Sequence, residues 1–141
     1  ISKNSFKLIK NGMFSVVNES GGTAFKSRII DDKYLMSGKT GTSQVRKITS
    51  EERMRGITKN ENLPWGKRDH ALFVGYAPHK NPKYSISVIV EHGGGGSKVA
   101  APIARDIMLF ALKKELPNLK LYPKEQRNEI KKIFKQSLKR T

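Results

Sequence analysis

Two apolar runs joined by a short, turn-rich connection constrain the fold of this chain more than any other feature. Residues 71–77 and 84–91 each have the length of a strand, and residues 78–83 between them include two prolines and an asparagine, as a hairpin loop would. In the second run apolar residues alternate with polar ones, at Tyr84, Ile86, Val88 and Val90. The runs therefore predict an antiparallel pair of strands with one apolar face, which needs a helix to cover it.

Two other stretches have the spacing of amphipathic helices. From Ser5 to about Asn18, apolar residues recur at three- and four-residue steps, and Gly21-Gly22 should end the helix. The second helix runs from about Lys98 to Glu115 and is predicted to pack through a stripe formed by Val99, Ile103, Ile107, Phe110, Ala111 and Leu112. Together these elements predict an α+β fold, in which helices cover an antiparallel sheet of about three strands.

The third strand is predicted at the polar segment Ser37-Gly38-Lys39-Thr40-Gly41-Thr42-Ser43-Gln44, which follows an apolar triplet. This segment places an ammonium group, two hydroxyls and a backbone without side-chain bulk within four residues. Glycine allows another chain to approach closely, and an extended peptide could pair with the strand edge. The pattern therefore favours binding of a carboxylate-bearing peptide beside a strand.

Two phosphate-binding interpretations compete with this one. The letters Gly38-Lys39-Thr40 also end a P-loop, but that motif requires a glycine at position 33, which is Lys33. The four glycines at 93–96, between the last strand and the following helix, could cradle a phosphate at a helix N-terminus. They are not followed by the G-K-[ST] sequence of a phosphate loop, so they favour a reversing loop instead.

The flanks of the K-T-G triplet resemble the carboxy-terminal part of a penicillin-binding protein transpeptidase domain of class B, and within it the elongation-type penicillin-binding protein 2 group. K-T-G is the third motif of the serine penicillin-recognising enzymes. The resemblance covers about residues 5 to 116. It is carried by Gly12-Met13-Phe14-Ser15-Val16-Val17-Asn18, Gly21-Gly22-Thr23-Ala24, Ser37 to Val45, Asp69-His70-Ala71-Leu72-Phe73-Val74-Gly75-Tyr76-Ala77-Pro78, Val88-Ile89-Val90-Glu91-His92-Gly93-Gly94 and Ala100-Ala101-Pro102-Ile103-Ala104.

The resemblance implies the serine β-lactamase and penicillin-binding transpeptidase fold, and acyl transfer on the D-Ala-D-Ala end of a peptidoglycan stem peptide. Catalytic roles fall to Lys39, as a positive charge near the substrate carboxylate, and to Thr42. The Thr42 N–H would be an oxyanion-hole donor and its hydroxyl a carboxylate ligand. Gly41 would let the substrate backbone lie against the strand, and Thr40 would point behind the strand and support it.

The same resemblance shows what does not precede Lys39. The S-x-x-K motif, which carries the acylated serine, is not found there, and Ser2-Lys3-Asn4 spells S-x-N too close to Lys39 for the family spacing. The chain is therefore expected to be a carboxy-terminal fragment that is inactive by itself.

We expect residues 1–116 to belong to the transpeptidase domain. Residues 117–141 should form a basic tail, loosely ordered and partly helical between Lys124 and Lys139.

Composition adds little to the choice of function. The formal charge of +16 favours anionic neighbours, but the cations are spread along the chain, so no specific nucleic-acid site is predicted. No cofactor is implied, and no metal site is expected because His70, His79 and His92 lack ligand spacing.

Residues 46–68 are charged and without apolar periodicity, which predicts a mobile loop. Trp65 would either anchor this loop against the sheet or form part of a substrate rim.

Partners and location follow from the resemblance. It implies peptidoglycan stem peptides and β-lactams as ligands and cell-wall elongation proteins as partners of the longer enzyme. It also implies a site at the periplasmic face of the bacterial inner membrane, reached through an anchor outside this chain. A homodimer through strand-edge pairing is a further expectation. The alternatives are a β-lactamase-like hydrolase, which shares the K-T-G strand, and a basic module that binds nucleic acid or an anionic polymer.

Overall fold

The computed structural model describes residues 1–115 and 118–137. Within these residues, the helices are α1 (Lys3–Asn18), α2 (Ser50–Arg55), α3 (Ala100–Lys113) and α4 (Arg127–Ser137), and the strands are β1 (Ser37–Ser43), β2 (His70–Ala77) and β3 (Tyr84–Val90). The strands form one antiparallel sheet in the order β1-β2-β3. The predicted α+β class and the three-stranded antiparallel sheet are confirmed.

The register of the strands separates a packed face of the sheet from an open one. Thr40 of β1 lies opposite Phe73 of β2, which lies opposite Val88 of β3. Residues opposite one another project to the same side, and Phe73 is fully buried, so this side faces the core. Lys39 and its partner Val74 project to the other side, where both are exposed. The lysine of K-T-G is thus displayed on the open face.

Helix α3 covers the core face, but only part of the predicted stripe contributes: Val99 and Leu112 pack against the core, and the large residues of the stripe between them do not. Ile103, Ile107 and Phe110 are between 40% and 53% exposed. The buried positions of this helix are Ala100, Ala101, Ala104, Arg105, Met108 and Leu109. The predicted packing face is therefore wrong at Ile103, Ile107 and Phe110. Small alanine side chains allow the first turns of the helix to lie close to the sheet.

Helix α1 begins two residues before the predicted start because Ser2 caps it. The Ser2 hydroxyl accepts a hydrogen bond from the Ser5 N–H at 3.0 Å. Val17 near the end of the helix is fully buried, whereas Phe6 near its start is 58% exposed. At its last residue, the Asn18 side-chain amide donates to the Met36 carbonyl oxygen at 2.9 Å. This bond ties α1 to the residue directly before β1.

The segment 46–68 contains more regular structure than a mobile loop. Thr49 caps the short helix α2 by accepting a hydrogen bond from the Glu52 N–H, and the first turn is acidic while the last is basic, which suits the helix dipole. The prediction of an irregular loop is wrong for residues 50–55. The sequence signals of this helix are the capping Thr49 and the acidic residues that precede basic ones, and not apolar periodicity. Trp65 is 63% exposed and is not buried against the sheet.

The carboxy-terminal segment packs into the same core. Tyr122 is fully buried, and Leu121 and Ile130 are 8% and 5% exposed. Residues 118–137 thus contribute to the core and include helix α4, and the expectation of a basic, loosely ordered and partly helical tail from residue 117 stays a prediction. The boundary at residue 116 stays a prediction, and Leu116, Pro117 and residues 138–141 lie outside the described residues. Within the described ranges, no helix is long and apolar enough to cross a membrane.

Candidate active site

Strand β1 carries the candidate site at a free edge of the sheet. It pairs with β2 on one side only, so along its other side the described residues supply no strand partner. Lys39 is exposed, and its ammonium group donates to the Thr40 carbonyl oxygen at 2.7 Å. Thr42 and Ser43 at the end of the strand are exposed as well. An extended peptide could therefore reach the backbone edge and the lysine together.

Thr40 is held from behind the strand. Its hydroxyl lies 2.8 Å from the hydroxyl of Thr23, in the turn that follows α1. Thr40 also projects to the core side of the sheet, as its register with Phe73 requires. The side chain thus links the strand to the preceding turn, whereas Lys39 projects to the opposite face.

Gly41 is backed by the glycine-rich turn between β3 and α3. A Cβ atom placed on Gly96 would collide with the carbonyl oxygens of Gly41 and Leu72, and would lie 3.1 Å from the Gly41 nitrogen. Position 96 therefore has to be glycine for the turn to reach the strand. The turn thus acts as a reversing loop that supports K-T-G.

A carboxylate just before β2 connects three segments around the end of β1. The Asp69 side chain accepts hydrogen bonds from the Val45 N–H at 3.3 Å and from the Asn60 amide at 3.0 Å. Asn60 accepts in return from the Asp69 N–H at 2.8 Å, and the Asp69 carbonyl oxygen accepts from the Gly94 N–H at 2.8 Å. Sequence reasoning assigned no role to Asp69 or Asn60, because eight residues without a recognisable pattern separate them in the chain.

An ion pair fixes the connection that leaves β1. The two terminal nitrogens of Arg46 each donate to one carboxylate oxygen of Glu52 at 2.6 Å, and the Thr58 N–H donates to Glu52 at 3.1 Å. These bonds lower the pKa of Glu52 to about 2, with the Arg46 hydrogen bond as the largest cause. Two parallel hydrogen bonds from one guanidinium group to both oxygens of a carboxylate make a stronger contact than a single bond. It holds α2 beside the end of the candidate strand.

Three aromatic rings meet near the start of β2. The His92 N–H donates to the Nδ1 atom of His70 at 2.9 Å, and the two rings lie 4.8 Å apart. Trp65 meets His92 edge-on, with ring centres 4.4 Å apart. Because His70 pairs with Ser43, this cluster flanks the end of β1. Sequence reasoning placed the histidines apart and missed the contact, although the antiparallel hairpin brings the two strand ends together.

The other end of β1 is held by the third histidine. The Ser37 hydroxyl lies 2.8 Å from Nδ1 of His79, and the His79 ring packs on Phe14 of α1 at 4.6 Å. Burial lowers the pKa of His79, and the positive charges of Lys10 and Lys80 lower it further. A neutral ring at this position suits its contact with the fully buried Ser37.

A fold of this kind, with K-T-G on an edge strand backed by a helix, defines the class of the serine penicillin-recognising proteins. Residues 1–109 match the family described as penicillin binding protein transpeptidase domain, and the chain belongs to that family. The predicted resemblance is confirmed.

Individual relatives point to one group within this family. The chain is 38% identical over 128 residues to the peptidoglycan D,D-transpeptidase MrdA of Haemophilus influenzae, covering 89% of this chain and 19% of that protein. It is similar to the crystal structure of Pseudomonas aeruginosa PBP2 in complex with WCK 5153, with a TM-score of 0.58, 33% identity and coverage of 88% of this chain and 22% of that one.

A complex between PBP2 and MreC from Helicobacter pylori gives a TM-score of 0.59 at 30% identity, covering 80% of this chain and 18% of that one. The chain thus spans about a fifth of the length of the relatives it matches.

Proposed function

We propose that this chain supplies the K-T-G side of the active site of a peptidoglycan D,D-transpeptidase, with the nucleophilic serine on a part of the enzyme outside this chain. The observation that carries the proposal is the display of Lys39 on the open face of an edge strand, in a chain of the transpeptidase family. A peptide substrate needs both a free strand edge and a charge for its carboxylate, and this strand offers the two together.

The reaction would proceed through an acyl-serine intermediate. The serine oxygen attacks the carbonyl carbon of the D-Ala-D-Ala bond, an ester forms, and the terminal D-Ala leaves with a proton on its amine. The amine of a second stem peptide then attacks the ester, so that a cross-linking amide forms and the serine recovers its proton. β-Lactams would acylate the same serine by opening of their ring amide.

Each residue of the strand has a distinct proposed role. Lys39 would attract the substrate carboxylate from the open face. Thr42 is on the same side of the strand as Thr40 but is exposed near the strand end, where it would donate its N–H to the developing oxyanion and its hydroxyl to the carboxylate. Gly41, whose backbone lies against Gly96, has no side chain and would leave room for the substrate backbone. Thr40 would keep the strand in place through its hydrogen bond to Thr23. Preorganised donors of this kind lower the barrier because they need no reorientation during the reaction.

The location and the partners of the longer enzyme are also proposals. We place it at the periplasmic face of the bacterial inner membrane, with an anchor outside this chain and with cell-wall elongation proteins as partners. Support for such a partner comes from the similar PBP2 of Helicobacter pylori, which was solved as a complex with MreC.

Self-association is proposed for the isolated chain. The outer edges of β1 and β3 are free among the described residues. On the side of β3, Lys114 at the end of α3 lies over the Tyr84 ring at 5.3 Å, and Ile89 within the strand is 64% exposed. An open edge beside apolar side chains favours pairing between copies.

Substitution of Lys39 in the longer enzyme tests the catalytic proposal. A hydrogen bond to a charged group contributes roughly 1.5–3 kcal/mol, so Lys39→Ala should slow acylation by a β-lactam about 10- to 150-fold. Lys39→Arg should restore the rate only in part, because a planar fork does not replace a compact charge. Lys83→Ala, which removes another exposed lysine, is the matched control. Acylation rates within about twofold of the parent for both Lys39 variants would reject the assigned role.

A further inference from the structure

A cavity of about 630 Å³ lies behind the candidate strand, on the side away from Lys39. Its walls come from the turn after α1, the first half of α3 and helix α4. Thr23, which bonds Thr40, and Ser97, the neighbour of Gly96, are among the lining residues. The volume falls in the range of small-molecule sites, and no role in the proposed reaction uses this space.

One end of the cavity carries a buried arginine with spare hydrogen-bonding capacity. Arg105 is 3% exposed, its Nε donates to Asp106 at 2.9 Å, and its Nη1 donates to Gln126 at 2.7 Å. The guanidinium group also lies over the Tyr122 ring at 4.5 Å, which fixes its plane. Its remaining terminal nitrogen, Nη2, makes no hydrogen bond within residues 1–115 and 118–137, and it is not among the enclosed polar atoms that lack a partner there, so it is accessible from the cavity. A guanidinium donor that is open to the cavity and fixed in its plane can bind an acceptor there through a charge-assisted hydrogen bond.

A second buried polar group lines the same cavity. Ser27 is 1% exposed and lines the cavity, and its hydroxyl is not among the enclosed polar atoms without a partner in the described part of the chain. The exposed Lys26 and Lys98 also line the cavity, and Lys98 forms a long ion pair of 4.0 Å with Glu61. The carboxylates on the lining are Asp106, already bonded to Arg105, and Glu129. Donors and positive charge therefore predominate at this end, which favours an anionic head group with oxygen acceptors.

Along α4 the lining of the cavity is mostly apolar. Its lining includes Ile130, Ile133 and Phe134 of α4, together with Phe25 from the turn after α1. Covering such a surface with a hydrocarbon chain is favourable, by about 25 cal/mol for each Å² of apolar surface removed from water. A purely polar anion such as phosphate would contact the donors and leave the apolar lining uncovered.

We propose that the cavity binds a small amphipathic carboxylate, with the head group on Arg105 and Ser27 and the hydrocarbon tail along α4. The planar guanidinium fork matches a carboxylate in geometry, and the tail accounts for the apolar lining. The ligand would lie behind the K-T-G strand, separated from the open face by the strand itself.

Titration of the 141-residue chain with sodium octanoate tests the proposal, followed by ¹⁵N NMR. Octanoate should shift the backbone amides of Ser27, Arg105 and Ile130 in a saturable way. Acetate, which lacks the tail, and octylammonium, which reverses the charge, should not do so at the same ionic strength. Equal shifts with acetate would show only attraction to the basic surface and would overturn the proposal.

Two variants make the test specific. Ile133→Glu places a charge on the apolar lining and should weaken octanoate binding about tenfold or more. Ile107→Glu is the matched control, because Ile107 is 51% exposed, like Ile133 at 54%, but does not line the cavity. Arg105→Lys keeps the charge and removes the fork, and it should weaken binding by a similar factor while circular dichroism confirms the fold. Unchanged octanoate affinity in Ile133→Glu, or equal losses in the two glutamate variants, would contradict the assigned site.

Discussion

The contact between Gly96 and Gly41 predicts an unusually sharp difference between neighbouring glycines. In Gly96→Ala, the new methyl group would overlap two backbone carbonyl oxygens, one from β1 and one from β2. Backbone cannot rotate away as a side chain does, so the turn and the sheet must separate. Overpacking of this kind costs about 1–3 kcal/mol and occasionally more. Gly95→Ala is the matched control, since its methyl group would meet no atom within 4 Å.

Thermal unfolding followed by circular dichroism measures the difference. For a chain of this length, about 1 kcal/mol corresponds to roughly 3–4 °C in Tm, so Gly96→Ala should lower Tm by about 3–12 °C. Gly95→Ala should change the free energy of unfolding by no more than about 1 kcal/mol in either direction. The Thr42 amide resonance should move in Gly96→Ala only, because the strain enters the sheet beside it. Equal Tm values for the two variants would refute the argument that the turn supports K-T-G.

Three further predictions concern the chain as it stands. Incubation with penicillin should give no covalent adduct, because no recognisable serine and base pair precedes Lys39, and a stoichiometric mass increase by mass spectrometry would contradict this. Glu52 should titrate near pH 2, below its ordinary value of 4.5, so its contribution to stability is complete above about pH 4.5 and is lost as the pH falls towards 2. A ¹³C NMR titration measures this pKa, and Arg46→Gln should raise it towards the ordinary value; an unchanged pKa would argue against the ion pair. Light scattering should detect dimers or larger species at high concentration because two strand edges are open, and a monodisperse monomer would count against edge pairing.

The hairpin and the K-T-G strand could be predicted because each signal is local. Alternating apolar residues and a turn of fixed length specify β2 and β3 without reference to the rest of the chain. The strand β1 was predicted from Ser37 to Gln44 and ends at Ser43. For the candidate site, the sequence indicated Lys39 and Thr42 as exposed chemical groups, and their roles remain predictions.

The packing of α3 could not be predicted in the same way. Its hydrophobic pattern has two apolar sides, one built from alanines and one from large residues such as Ile103 and Phe110. Hydrophobicity alone favours burial of the larger side chains, but the distance between helix and sheet decides, and Ala100 and Ala104 fit the shorter distance. Similarly, the hydrogen bonds of Asp69 depend on where three distant segments meet, which no local pattern reports.

The burial of Tyr122 bears on where an expressed piece of this protein should end. The sequence family stops matching at residue 109, yet the Tyr122 ring is fully buried and lies against Arg105 of α3. A chain cut at residue 109 would lose the last turn of α3 and leave a buried guanidinium group facing water where an aromatic ring had been. The folding unit therefore extends past residue 109 at least to Ile130, and an expression boundary set at the end of the family match would divide its core.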